Sequence, residues 1–318
     1  MKLLITRPLP EAVLAPARAA FNLTMRDSTA PMSEAEMTAA LAEQDIILPT
    51  LGDRFSSDIF AAVPAPRARL LANFGVGYNH IDVAAAHAAG LRVTNTPGAV
   101  TDATADIALT LMLMSARRAG EGERLVRAGR WEGWHPTQML GLHMSGKVLG
   151  IIGMGRIGQA IAKRAHFGFG MQVVYHTRTP RPLPALPEAR ALPGLHDVMK
   201  AADIVVIAAP ASAETRHMID ASALAAMQPH AHLVNIARGD IIDEQALIAA
   251  LQAGQIAGAG LDVYEHEPDV PEALRALENV VLLPHLGTAA LEVRVQMGLM
   301  ALENALALRD GRPLPNPV

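Results

Sequence analysis

Apolar residues along this chain fall into short unbroken runs, separated by longer alanine-rich stretches with helical spacing. A first series comprises "LLIT" (3–6), "DIILP" (45–49), "RLLANF" (69–74) and "RVTNT" (92–96). A second comprises "VLGII" (148–152), "MQVVYH" (171–176), "DIVVIAA" (203–209), "HLVNIA" (232–237), "GAGLDV" (258–263) and "NVVLLP" (279–284). Runs this continuous in Val, Ile and Leu are typical of strands covered on both faces, as in parallel sheets wound with helices. Two series predict two α/β units.

Between the series, "TDATAD" opens a long helix, with Thr101 or Asp102 placed to cap its free amides. Its continuation, Ile107–Ala116, is the most apolar stretch of the chain, too short to span a bilayer and read as a buried helix. The last helix is predicted over 289–308, stopping before Gly311. Pro180, Pro182, Pro184, Pro187 and Pro193 mark 180–193 as a surface loop.

Composition narrows the function classes. The 318 residues suggest about two domains, and 51% hydrophobic against 18% charged residues allows substantial cores. A net charge of −4 argues against nucleic acid or an anionic membrane as the main partner. The absence of cysteine excludes disulfides, thiol nucleophiles and cysteine-held metals. "MKLLITRPLP" has too short an apolar run for a secretory signal, so a soluble cytoplasmic protein is expected.

In "GIIGMGRIGQAIAKRA", Gly153, Gly155 and Gly158 keep the G-x-G-x-x-G spacing between a predicted strand and an amphipathic helix. Gly153 permits the tight turn, Gly155 lets the backbone approach a pyrophosphate, and Gly158 brings helix and strand together. The helix start offers amides and a positive dipole end to the phosphates. A plain strand-to-helix turn is the alternative. The pair Gly75 and Gly77 in "NFGVGYNHID" has His80 in the third place, and is read instead as backbone amides exposed to a small anion.

About twenty residues past the glycine turn, a carboxylate would be expected to hold a free ribose diol. This chain has "YHTRTPR" there. Thr177 and Thr179 offer hydroxyls, Arg178 a charge-assisted fork, Arg181 further positive potential and His176 a weaker contact. A 2′-phosphate carries roughly −1.5 to −2 charges at neutral pH, so the stretch predicts NADPH as preferred cofactor, with NADH possible. The alternative is a solvated basic loop.

Three polar residues leave predicted strand ends: Arg238 in "HLVNIARG", Glu267 in "LDVYEHEP" and His285 in "LLPHLG". Ligands gather at the carboxyl ends of strands in such sheets. An arginine fork clamps a carboxylate, a histidine passes a proton to a carbonyl oxygen, and a glutamate fixes the imidazole. Plainer alternatives are a surface salt bridge for Arg238 and a loop histidine for His285, while Glu267 competes with Glu265, itself read as merely facing solvent.

Over essentially its whole length the chain resembles the D-isomer-specific 2-hydroxyacid dehydrogenases. The resemblance rests on "GVGYNHID", "NTPGAVTDATADIALTLML", "GKVLGIIGMGRIG", "NIARGDIIDEQALIAAL", "AGLDVYEHEP" and "LLPHLGTAA". It implies a Rossmann nucleotide-binding domain (99–287) inserted into a flavodoxin-like substrate domain (1–98 with 288–318), both doubly wound parallel sheets. It implies Arg238 as carboxylate binder, His285 as acid/base with Glu267 as partner, and Val76 and Gly77 amides on the substrate carboxylate. Thr104, Arg156, Ile157, Pro210, Thr215, Ile236, Ala237, Asp262 and Gly287 would border the cofactor.

Within the family, "GRWEGWHP" and the basic stretch after Tyr175 are most similar to NADPH-dependent glyoxylate/hydroxypyruvate reductases. The expected substrate is therefore a short 2-oxo acid. A phosphite-type dehydrogenase and a dinucleotide-sensing scaffold without turnover are the alternatives. The all-round apolar helix from Thr101 is expected to form a homodimer interface, flanked by Trp131 and Trp134.

Overall fold

The computed structural model describes every residue except Arg181, so the part of the basic stretch assigned to Arg181 lies outside the described residues. The chain divides into two units, Met1–Val100 with Thr288–Val318, and Thr101–Gly287.

In the first unit, strands β1 (Lys2–Ile5), β2 (Asn22–Met25), β3 (Ile46–Leu48), β4 (Leu70–Ala72) and β5 (Arg92–Thr94) form a parallel sheet in the order β2-β1-β3-β4-β5. Ile46, Ile47 and Leu48 are wholly buried, the signature of a central strand covered on both faces. The final helix, Leu291–Arg309, packs on helix Glu11–Ala20. Gly298 makes this possible, since a Cβ there would lie 2.5 Å from Val13 Cγ2.

The second unit holds β6 (Val148–Ile152), β7 (Gln172–His176), β8 (Arg190–Ala191), β9 (Ile204–Ile207), β10 (His232–Asn235), β11 (Gly258–Leu261) and β12 (Val280–Leu282). Their order is β12-β11-β10-β9-β6-β7-β8, all parallel. Alternate residues feed two cores: Leu149, Ile151, Val206 and Val234 under helices Thr101–Ala116 and Arg156–Phe169, and Ile152, Val205, Ile207 and Leu233 on the opposite face. The order reverses at β6, whose neighbours β7 and β9 run off to opposite sides, and such a switch point opens a crevice at the strand ends.

Several expectations need correction. Strand β2, half-exposed at an edge, carries the polar mixture "NLTM" and has no apolar run to announce it. The proline-rich stretch is not loop throughout: β8 pairs with β7 and Leu186 is buried. Asp102 lies inside the first turn of its helix rather than before it, and accepts from Arg164 Nη2 at 2.9 Å. That helix packs within its own unit on β10, β11 and helix Arg156–Phe169, with Met112 fully buried and Leu113 left exposed. Among the described residues no helix is long and apolar enough to cross a membrane.

Candidate active site

The carboxyl ends of all seven strands of the second unit lie along one edge of its sheet, and the loops there carry most of the residues singled out above. At β6, Gly153 has φ +97° and packs so tightly on the loop after β9 that a Cβ would sit 2.6 Å from the Ala209 amide nitrogen. Gly158 lies on Gly153: its Cβ would be 2.3 Å from the Gly153 carbonyl oxygen. Gly155, by contrast, caps helix Arg156–Phe169 with nothing within 4 Å of a Cβ position. Two glycines are thus required by contact with the protein itself, and the one at the helix start leaves open backbone. That combination fits a pyrophosphate at the helix N-terminus, beside the exposed Arg156 and half-buried Ile157.

After β7, Thr177 is half-buried, and Arg178 and Thr179 are exposed. His176 Nδ1 lies 3.2 Å from the Leu192 carbonyl oxygen, which commits that ring edge to the protein. After β9, Thr215 Oγ1 donates to the Pro210 carbonyl at 2.9 Å and accepts from the Ser212 amide at 2.8 Å, closing that loop on itself.

The ends of β10, β11 and β12 bring Arg238, Glu267 and His285 into one electrostatic group. His285 Nδ1 lies 2.8 Å from Glu267 Oε2, and Glu267 Oε1 accepts from the Tyr264 amide at 3.1 Å. Burial works against the Glu267 carboxylate. The His285 hydrogen bond and charge, the Tyr264 amide and the Arg238 charge outweigh it and hold Glu267 below its ordinary value. Arg238 is drawn below its usual value by burial, against the Glu267 and Asp240 charges. It stays cationic, since guanidinium deprotonation lies far above neutral pH.

His285 adopts φ +55°, uncommon for a residue with a Cβ. The turn is held from below: buried Asp262 accepts from the Leu286 amide at 2.6 Å and the Gly287 amide at 2.8 Å, and Thr104 Oγ1 donates to the Gly287 carbonyl at 3.1 Å. Burial raises Asp262 above its ordinary value, with the two amides and the His285 charge opposing.

Two braces had no part in the sequence reading. Asn235 Nδ2 donates to the Arg238 carbonyl at 2.8 Å while its Oδ1 accepts from the Ala237 amide at 3.0 Å, which shapes the Ile236–Arg238 turn. The Tyr264 hydroxyl donates to the Leu283 carbonyl at 2.9 Å, fastening the Glu267 loop to the chain entering His285. An asparagine ending an apolar strand was the available signal for the first. Glu265 does not merely face solvent: its Oε1 lies 2.8 Å from His217 Nε2 and 3.5 Å from Arg216 Nη2. Val76 and Gly77 belong to the first unit, in the loop after β4.

A glycine turn at the switch point of a parallel sheet, with an Arg/Glu/His group on strand ends of that sheet, defines a dinucleotide-dependent oxidoreductase. The comparisons agree. Residues 109–287 match the NAD binding domain of the D-isomer specific 2-hydroxyacid dehydrogenases. The chain is 41% identical to a glyoxylate reductase of Thermococcus onnurineus, covering 100% of this chain and 95% of that protein. It is 40% identical to the glyoxylate reductase of Pyrococcus furiosus, with the same coverage. Among solved structures, the NADPH-dependent glyoxylate/hydroxypyruvate reductase of Sinorhizobium meliloti, in complex with NADP and malonate, superimposes with a TM-score of 0.88 at 36% identity, over 100% of this chain and 96% of that one. The chain belongs to the D-isomer specific 2-hydroxyacid dehydrogenase family.

Proposed function

We propose that this protein reduces glyoxylate, hydroxypyruvate or a similarly short 2-oxo acid to the D-2-hydroxy acid, with NADPH preferred over NADH. The observation that carries the reading is the His285–Glu267 contact of 2.8 Å, with Arg238 within electrostatic reach of the same carboxylate. The likeness to glyoxylate reductases favours it over phosphite oxidation or a sensor without turnover.

The reduced nicotinamide, when bound, supplies the hydride. The Gly153–Gly158 turn would hold its pyrophosphate, Arg178 with Thr177 and Thr179 would hold the 2′-phosphate, and the loops of Thr104, Pro210, Thr215, Ile236, Ala237, Asp262 and Gly287 would border it. Arg238 binds the substrate carboxylate through its fork and polarises the adjacent carbonyl. The Val76 and Gly77 amides also donate to that carboxylate. His285 keeps Nδ1 toward Glu267, which leaves Nε2 to deliver a proton to the carbonyl oxygen. Glu267 orients the ring and stabilises its charged form. The first unit serves as substrate domain and the second as dinucleotide domain.

The protein acts in the cytoplasm as a homodimer. Leu113, Val126, Trp131, Trp134 and Leu140 are all exposed within one stretch of the second unit, and apolar surface of that kind supports an interface, which sedimentation would test. Loss of NADPH absorbance on adding glyoxylate tests the activity. Binding of NADPH without turnover across a panel of 2-oxo acids would overturn it.

A further inference from the structure

The loop after β4 is organised around three consecutive carbonyl groups, each tied down from within the first unit. Asn73 is 1% exposed, and its Nδ2 donates to the Gly75 and Gly77 oxygens, both at 3.0 Å. The Gly75 oxygen also accepts from the Thr96 amide at 3.0 Å. Asn95 Nδ2 donates to the Val76 oxygen at 2.9 Å. In a trans peptide the C=O and the following N–H point in opposite directions. Fixing these oxygens therefore turns the Val76 and Tyr78 amides away from Asn73, and the Gly77 amide away from Asn95. Among the described residues, no acceptor meets those three amides.

The asparagine itself shows which of its ends matters. Both Nδ2 hydrogens of Asn73 are used, whereas its Oδ1 is buried with no hydrogen-bond partner. An unsatisfied buried acceptor is destabilising, and an apolar side chain would avoid it. The two donors account for an asparagine at this buried position. We infer that Asn73 and Asn95 are positioning residues that set the Val76, Gly77 and Tyr78 amides as a carboxylate cradle, with Tyr78 as a third backbone donor. The inference rests on the proposed role of Val76 and Gly77 in holding the substrate carboxylate. Outward backbone amides of this kind form anion-binding concavities.

Asn73→Asp tests it, because a carboxylate has no hydrogen to give and would face two carbonyl oxygens. The KM for glyoxylate should rise by roughly ten- to hundredfold, the range expected for losing hydrogen bonds to a charged group. The kcat at saturation should stay within about threefold, since the cradle binds ground and transition states alike. NADPH affinity, read by nucleotide fluorescence, should not change. Protonation of the new carboxyl restores one donor, so the ratio of variant to parent KM should shrink as pH falls. A packing defect independent of that carboxyl's proton would not recover in that way. Asn95→Ala, at a less buried position, supplies an independent variant and should raise KM by a smaller factor.

Gly77→Pro deletes one of the amides and separates the two readings. If it raises KM while both asparagine variants match the parent, the cradle stands and the asparagines do not set it, which overturns the inference. If Gly77→Pro folds, binds NADPH and leaves KM unchanged, the cradle reading itself fails and the inference fails with it.

Discussion

Glu267 holds His285 through Oε2, 2.8 Å from Nδ1, while the Tyr264 amide fixes its other oxygen at 3.1 Å. The ring orientation is thereby referred to rigid backbone. Reduction uses the protonated imidazole and oxidation the neutral one. Glu267→Gln keeps the shape but removes the charge that favours the imidazolium. The reductive rate should fall relative to the oxidative one, and the pH–rate curves of variant and parent should differ. Superimposable pH–rate curves for variant and parent would show that Glu267 does not act on His285.

Arg238→Lys keeps a positive charge and loses the planar fork. The expected result is a rise in substrate KM together with a fall in kcat, amounting to about 2–3 kcal/mol, or roughly thirty- to over a hundredfold in kcat/KM. NADPH binding should be close to that of the parent. Steady-state kinetics settle the point.

Arg178→Ala should weaken NADPH use by roughly ten- to hundredfold, as for the loss of one charge-assisted contact, with NADH kinetics little changed. Because Arg178 is exposed, the NADPH advantage should also shrink as ionic strength rises. Equal losses with both cofactors would remove this stretch from phosphate recognition.

Gly158→Ala would place a Cβ 2.3 Å from the Gly153 carbonyl oxygen, a backbone atom that cannot rotate away. The helix must shift from the strand, with a destabilisation of about 1–3 kcal/mol and weaker binding of either dinucleotide. Denaturant titration and nucleotide affinity, measured on the same sample, should fall together.

His232 is buried, 2.8 Å from Ser115 Oγ, and burial together with the His230 charge pushes it down to about 4, from 6.5. A depressed folded-state value means the folded protein favours the neutral ring. Stability from this group is complete above pH 6.5 and is lost progressively as pH falls toward 4, by up to about 3 kcal/mol. The melting temperature should drop over that window, and His232→Gln should flatten the drop.

The central strands were legible because a strand buried on both faces must be apolar at every position: Ile46–Leu48 and Ile204–Ile207 announce themselves. The glycine turn was legible because Gly153 and Gly158 answer local demands for space, and Gly155 leaves the helix start open between them. The edge strands β2 and β8 were not, since one uncovered side allows Asn, Thr and Arg into them. Glu265 and Glu267 could not be separated by spacing, because both stand in one loop after one strand. What divides them is the partner each meets, His217 for one and His285 for the other, and that depends on which strands lie side by side. The braces are of the same kind. Asn95 reaches Val76 only because β4 and β5 pair in parallel, and Asp262 reaches Gly287 only because β11 lies next to β12. Periodicity and turn chemistry are written in neighbouring residues; hydrogen bonds between distant strand ends come into being only when the sheet order brings those ends together.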